Sequence, residues 1–479
     1  MKKALLVHLG AAVLVGIALR FVVNLDPVWW LAWFVPGLLL ALALRTEGWT
    51  SRGIVALAAL IGVTANASYY LQVMPPVPVV IVVTLQTLLW VFVVGMARRV
   101  MQAVNSAWSV LAFPVIGVAA DTLLAHFTPD GNWGSLAYTQ SDVLPIAQLA
   151  SVFGVGGVLF VLLLVNSALA LALHRGLRVP GALPAYSAVA AVFVATAVFG
   201  AWRLQAPEAG KPFSYGIVSI DDFISGPATD KSREVWMQYA AQVTALAAVG
   251  ARVILLPEKI DVLSTNDAET RKAQLAKLAA ANHVWLVAGV GVDNGKERRN
   301  EAWWFSPDGQ LATNYLKHFM APPEREFVSG SEFPVSPIDD VKHGVAICKD
   351  MHFASLGRDF GSRDAAVMMV PAWDFHTDAR MAANMTRLRG VENGYLVVRS
   401  SRDGLLSVSD AYGRMLAVAE SRAYPGTSLF ATVNVGPRVA TIYTRIGDAL
   451  GWLCVAGMVA LLFLRGRKWG QTPNAGNGV

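Results

Sequence analysis

The chain has 479 residues, more than one ordinary domain, and 55% of them are hydrophobic while only 15% are charged. Soluble proteins carry roughly 25% charged residues, so this composition, with a mean hydropathy of +0.47, excludes a wholly soluble protein. The formal net charge of +6 is no argument for a nucleic-acid partner, because much of it sits in short loops beside apolar segments.

The apolar excess fills residues 1–204 and returns at 447–465, whereas 205–444 has ordinary globular composition. This predicts an N-terminal membrane domain of seven helices (1–204), a globular domain (205–444), and a closing membrane helix with a short tail (445–479). A span needs about 20 mostly apolar residues. Such segments run at about 4–23, 28–45, 53–73, 77–97, 107–127, 149–172, 182–203 and 446–465. The first lacks a small-residue cleavage site and leads straight into a second span, so it reads as an anchor and not as a removed signal.

Loop charges set the orientation. Lys2, Lys3, Arg45, Arg52, Arg98, Arg99, Arg175, Arg178, Arg465, Arg467 and Lys468 fall on one side, while loops 24–27, 74–76 and 128–148 contain no Lys or Arg. The positive-inside rule then makes both termini cytoplasmic and puts 205–444 on the opposite face. Arg20 and Arg203 are exceptions that can snorkel from span ends. Asp121 is the main intramembrane ionisable residue. Such a carboxylate is a functional candidate, although near a span end it can also cap or bond a neighbouring helix. No chain of buried charges traces an ion path.

In the globular part, strands at 215–220, 252–256, 285–292 and 365–370 alternate with helices at 234–249, 268–281 and 378–392. A hairpin at 303–305 and 311–316 turns around Pro307-Asp308-Gly309. Alternation with added hairpins predicts α/β layers with mixed sheets. Three residues close strand-like runs: Glu258 after Val253–Pro257, Lys317 after Tyr315-Leu316, and Cys348 after Gly344–Ile347. The other cysteine, Cys454, lies in an apolar segment, so Cys348 has no disulfide partner within reach in an exported domain. A free cysteine can be a reactive thiol or simply a small buried hydrophobe, and taken singly Glu258 and Lys317 read equally well as solvated strand-end charges. Taken together, a thiol, a carboxylate and an ammonium suit acyl transfer: nucleophile, proton carrier, and positive charge for thiolate and oxyanion.

Pro257-Glu258, Tyr315-Leu316-Lys317-His318 and Ala346-Ile347-Cys348-Lys349-Asp350 resemble the Glu–Lys–Cys triad of the nitrilase, or carbon–nitrogen hydrolase, superfamily. Spans on both sides of such a domain narrow the resemblance to the apolipoprotein N-acyltransferases. Pro371–Phe375, Arg387–Arg389 with Glu392–Gly394, and Tyr443–Asp448 resemble further segments of that family. The resemblance implies an αββα sandwich beside a bundle of about eight transmembrane helices, in a multi-pass protein of the bacterial inner membrane with its catalytic domain in the periplasm. It implies Glu258, Lys317 and Cys348 as catalytic residues and no metal or cofactor. A phospholipid would be the acyl donor and a diacylated lipoprotein the acceptor. A membrane-anchored amidase, an acyltransferase with another amine acceptor, and a non-catalytic membrane protein are the alternatives.

The chain departs from the family in places. Lys349-Asp350 follows the nucleophile where the family has Tyr-Glu; Asp350 would keep the carboxylate, and Lys349 would help depress the thiol pKa. Pro322–Glu326 replaces Pro-Phe-Gly-Glu, which leaves Glu324 or Glu326 as the lysine-supporting glutamate, with Glu326 favoured because Phe327–Gly330 continues like the family segment. Ser219–Asp222 replaces the usual end of the first strand. Trp373, Phe319 and Met320, with Trp303 and Trp304, are expected to line an acyl groove, though each also suits a core or interfacial position.

Overall fold

The computed structural model describes residues 2–176, 179–207, 210–221, 223–224 and 229–463; Arg178, Asp222, Arg465, Arg467 and Lys468 lie outside them. In lipid every backbone polar group must be bonded within its own segment, so the apolar stretches are helical. Among the described residues six helices are long and apolar enough to cross a membrane: Leu5–Val23, Gly48–Val73, Pro76–Ala103, Ala107–Phe127, Ala150–Arg175 and Ala182–Arg203. Two shorter apolar helices, Trp29–Leu44 and Ala449–Phe463, occupy the remaining expected positions. The expected eight spans are thus six full-length helices and two short ones. Buried polar side chains join them, as small and polar residues do inside membranes. Asn166 accepts from the Gly37 amide (2.6 Å) and donates to the Ala32 carbonyl (2.9 Å).

The two ends of the bundle differ in charge. At one end Arg45, Arg98 and Arg175 donate to the carbonyls of Leu173 (2.8 Å), Ala43 (2.7 Å) and Met101 (2.7 Å). These are carbonyls near helix C-termini, where cations are favoured. At the other end the loops free of Lys and Arg receive the globular domain. Asp142 binds Arg387 (2.6 Å) and Arg380 (3.0 Å), and Asp26 binds Arg380 (3.5 Å).

The globular domain is two facing sheets. The first holds β1 (Lys211–Ser219), β2 (Val253–Leu255), β3 (Val262–Ser264), β4 (Trp285–Asp293), β5 (Arg298–Phe305), β6 (Leu311–Leu316) and β13 (Thr427–Val435), in the order β13-β1-β2-β4-β5-β6 with β3 on β4. The second runs β12-β11-β10-β9-β8-β7, from β7 (Val335–Ile338), β8 (Val341–Val345), β9 (Val367–Trp373), β10 (Leu396–Arg402), β11 (Leu405–Ser409) and β12 (Met415–Glu420). Tyr215, Ile217, Leu255 and Trp304 of the first sheet join Val345, Val370 and Val398 of the second in one core. Helices α1 (Asp230–Ala248) and α2 (Thr265–Asn282) cover the other face of the first sheet through a second core around Trp236, Ile254 and Trp303. Helices α3 (Ala354–Ser362) and α4 (Ala379–Asn393) lie against the second sheet. β5 begins at Arg298, before the expected Trp303, because its polar first half goes on pairing with β4 as far as Asp293.

Helix α4 fastens the domain to the bundle. Its Met381, Met385, Leu388 and Val391 join the core of the membrane helices. Gly154 (φ +66°) interrupts helix Ala150–Arg175, and the freed Val155 amide donates to Glu392 of α4 (2.9 Å). Glu392 is in turn paired with Arg389, both fully buried. Removing one member of a buried pair strands the other charge, at roughly 3–5 kcal/mol. Arg389→Met should therefore sharply lower the thermal midpoint of the purified protein, and adding Glu392→Gln should recover part of the loss. A single variant that melts like wild type would show the pair to be dispensable.

Candidate active site

The site assembles at one edge of the sandwich, where chain segments leave β2, β6, β8 and β9. Lys317, the first residue past β6, is 1% exposed, and its ammonium donates to Glu258 Oε1 (2.6 Å) and Glu324 Oε2 (2.6 Å). Asn300 of β5 ties the two carboxylates together, donating to Glu258 Oε1 (2.7 Å) and Glu324 Oε1 (2.9 Å). Lys259 adds a second ammonium on Glu324 Oε1 (2.5 Å). Burial alone would lower the Lys317 pKa, but the two carboxylates hold it well above its ordinary value. Burial opposes ionisation of Glu324 as well, yet Lys317 and Lys259 bring its pKa down to about 2. With Oε1 of Glu258 occupied twice, its Oε2 carries no hydrogen bond among the described residues.

The supporting glutamate is therefore Glu324, and the expectation favouring Glu326 is corrected. A single helical turn, Pro322–Glu324, folds the Glu324 side chain inward. Two residues on, the Glu326 side chain is 82% exposed and meets only Arg298, at 3.4 Å.

Cys348 stands beyond the end of β8 and opens a turn over Cys348–His352. Its φ of +44° is one that only over-determined surroundings impose on a side-chain-bearing residue. Its Sγ donates to the Trp373 carbonyl at 3.5 Å. Asp350 fixes this turn to Lys317: one oxygen accepts from Tyr315 Oη (2.6 Å) and the Ile347 amide (3.0 Å), the other from the His318 (3.1 Å) and Phe319 (2.8 Å) amides. It acts on backbone and on Tyr315, with no hydrogen bond to the thiol.

Lys349 differs from expectation. Its ammonium turns away to Asp130 of loop 128–148 (2.7 Å) and so does not serve the thiolate. The same loop grips the turn elsewhere. Trp133 stacks on His352 with ring centroids 4.9 Å apart, and in the amide orientation that satisfies its neighbours Asn132 donates to the His352 carbonyl (2.9 Å) and accepts from Arg389 (3.0 Å). The Cys348 turn is thus docked directly on the membrane domain.

Of the five groove candidates, Trp373, Phe319 and Met320 are half-buried near the thiol's edge of the sandwich, with Phe319 stacked on Phe353 at 3.5 Å. Trp303 and Trp304 are fully buried, one on each face of the first sheet, and line no groove. Sequence reasoning missed Asn300, Lys259 and the buried Arg399–Asp374 pair (2.5 Å), none of which has a motif of its own. Asp221, His376 and Asp403 bring ligand-type atoms within 4.8 Å of one another. Asp403, however, accepts from the Trp373 indole (2.8 Å), and Arg402 lies 5.1 Å from that ring, so this cluster orients Trp373.

Burial, and then the Glu258 carboxylate, push the Cys348 thiol well above its ordinary pKa, while Lys317 opposes them. The resting group is the thiol, which donates to the Trp373 carbonyl and feels the Glu258 carboxylate electrostatically. Alkylation of Cys348 by iodoacetamide should accordingly be slower than that of free cysteine at pH 7.5 and should go on rising above about pH 8.5, where free cysteine begins to level off. Lys317→Met should slow it further. Fast labelling at neutral pH, read by peptide mass spectrometry, would contradict this balance of charges.

Two family models match the chain: the apolipoprotein N-acyltransferase N-terminal domain over residues 13–168 and the carbon–nitrogen hydrolase domain over 226–430. An apolipoprotein N-acyltransferase of Geobacter metallireducens is 26% identical over 396 residues, 75% of this chain and 74% of that protein. One from Bradyrhizobium diazoefficiens is 22% identical over 437 residues, 79% and 78% of the two chains. Among solved structures, an amidase from Nesterenkonia sp. AN1 aligns at 16% identity and a TM-score of 0.43, over 50% of this chain and 95% of that one. With both family models in the order that the two-part architecture requires, the chain belongs to the apolipoprotein N-acyltransferase family of the carbon–nitrogen hydrolase superfamily.

Proposed function

We propose that this protein is an N-acyltransferase of lipoprotein maturation, moving an acyl chain from a phospholipid through Cys348 to the α-amine of a diacylglyceryl-cysteine. The observation that carries the reading is the docking of the thiol's own turn on a membrane bundle through Lys349–Asp130 and Trp133–His352, which suits two substrates that both reside in the bilayer. Positive-inside asymmetry supports a cytoplasmic position for the Arg45, Arg98 and Arg175 end and for both termini, and a periplasmic one for the globular domain.

In the first half-reaction Cys348 Sγ attacks the sn-1 ester carbon as its proton passes to Glu258. The Lys317 ammonium stabilises the oxyanion. The ester C–O bond breaks, Glu258 protonates the leaving lysophospholipid oxygen, and the acyl group remains as a thioester. In the second half the acceptor amine attacks the thioester carbon and gives a proton to Glu258. The C–S bond breaks, and that proton returns to the thiol. Glu324, Asn300 and Lys259 hold Lys317 and Glu258 in place. Phe319, Met320 and Trp373 contact the acyl chain.

Incubation with a labelled phospholipid should give a hydroxylamine-sensitive adduct on Cys348. A folded wild-type protein that forms none would defeat the acyl-thioester proposal, and a labelled diacylated lipopeptide separates transfer from hydrolysis. Cys348→Ser should abolish turnover and Cys454→Ser should be nearly silent. Glu324→Gln should cost about 10²-fold by misplacing Lys317, whereas Glu326→Gln should leave the rate unchanged; equal effects would remove the assigned distinction.

The Lys349–Asp130 pair makes a separate claim on rate. Lys349→Ala or Asp130→Ala should slow transfer about tenfold, and the exchanged pair Lys349→Asp with Asp130→Lys should restore most of it. Single variants at wild-type rate would leave the pair with no part in positioning Cys348.

A further inference from the structure

A cavity of about 180 Å³ lies inside the membrane bundle, away from the triad. It extends along helix Ala107–Phe127 from Phe113 to Leu124, about 16 Å of helix axis, and is roofed by residues 131–136 and Met381 of α4. An apolar cavity of about 150 Å³ stays dry and takes benzene; this one is not purely apolar. Asp121 lines it, with the Ser135 hydroxyl beside its carboxyl. Asn66 lines it too. Its amide nitrogen is committed to the Val23 carbonyl (2.7 Å), but its Oδ1 is buried without a partner, and the residue is 8% exposed. Trp90, Trp133, Phe113 and Tyr70 supply aromatic walls, and none of the lining residues is Lys, Arg or His.

The chamber therefore presents a carboxyl without an ion-pair partner among the described residues and an unpartnered carbonyl oxygen, inside an aromatic, apolar wall. A buried acceptor left unmet is costly, and a carboxylate within a membrane needs a partner. Asp121, which bonds to Ser135 but has no cation beside it, and the unmet Asn66 Oδ1 can both take a donor, and aromatic faces favour a cation. We infer that this cavity binds the primary ammonium group of a bilayer amphiphile, with Asp121 and Asn66 as its acceptors. The inference deepens the acyltransferase reading and rests on it for the source of the amine: the headgroup of an aminophospholipid donor, or the α-ammonium of the diacylated acceptor. The roof that would sense occupancy is the loop whose Trp133 and Asn132 hold the His352 end of the nucleophile's turn.

Binding is read by native mass spectrometry on full-length Cys348→Ala protein, so that no turnover intervenes. The probes are phosphatidylethanolamine against its N-acetylated form, and a diacylated lipopeptide with free against acetylated α-amine. In at least one pair the free amine should bind about tenfold tighter, as a charge-assisted hydrogen bond supplies, and the pair that discriminates identifies the source. Asp121→Asn should bring that ratio close to one, and Asp121→Glu should retain it. A ratio near one in both pairs without any Asp121 change, or one that survives Asp121→Asn, overturns the site. The first of these needs no variant, so poor folding of Asp121→Asn leaves the test intact. Adduct formation on wild-type Cys348 is measured in parallel: adduct without amine discrimination defeats this inference alone, and amine discrimination without adduct defeats the thioester reading alone.

Discussion

Lys317 cannot be buried by itself. An ammonium withdrawn from water is tolerated only where carboxylates and further hydrogen bonds replace its hydration, and here Glu258 and Glu324 each approach to 2.6 Å. Much of the site's geometry follows from meeting that requirement. Two carboxylates around one ammonium repel each other, so Asn300 donates to both, and Lys259 adds a second positive charge on Glu324. With one oxygen of Glu258 consumed in this way, the other carries no hydrogen bond among the described residues. Asp350 then sets the distance between this cluster and the nucleophile, because one carboxylate grips the amides after Lys317 and the amide before Cys348.

The nucleophile itself is poised without being ionised. Burial and Glu258 disfavour the thiolate more than Lys317 favours it. A thiol kept protonated reacts slowly with adventitious electrophiles, which suits the proposed thioester route.

The interface between the two parts repeats a charge rule that originates in the membrane. Loops 24–27 and 128–148 contain no Lys or Arg, so Asp26, Asp130 and Asp142 are the charges they offer, and the globular domain answers with Arg380, Lys349 and Arg387. Lys349 belongs to this set, so its place beside Cys348 has a docking explanation. Residues 131–136 line the bundle cavity, and Trp133 among them stacks on His352, so one loop joins the cavity to the Cys348 turn.

The apolar segments, the loop charges and the chemical types of Glu258, Lys317 and Cys348 are properties of the chain read one residue at a time, and the sequence alone determined them. It also indicated the α/β layering, because strand and helix periods survive without knowledge of neighbours. What it left open depended on which way a side chain turns at an irregular backbone. Glu324 and Glu326 are chemically alike and two residues apart; a three-residue turn sends the first to Lys317 and the second to solvent. Lys349 sits beside the nucleophile in the chain, yet its ammonium ends on a residue 219 positions away. Trp303 and Trp304 alternate across one sheet, so neither reaches the site. Asn300 became visible, and the partners of Asp350 legible, only once β5, the end of β6 and the Cys348 turn were brought to the same edge, because their contribution is a set of hydrogen bonds between segments that only the tertiary fold brings together.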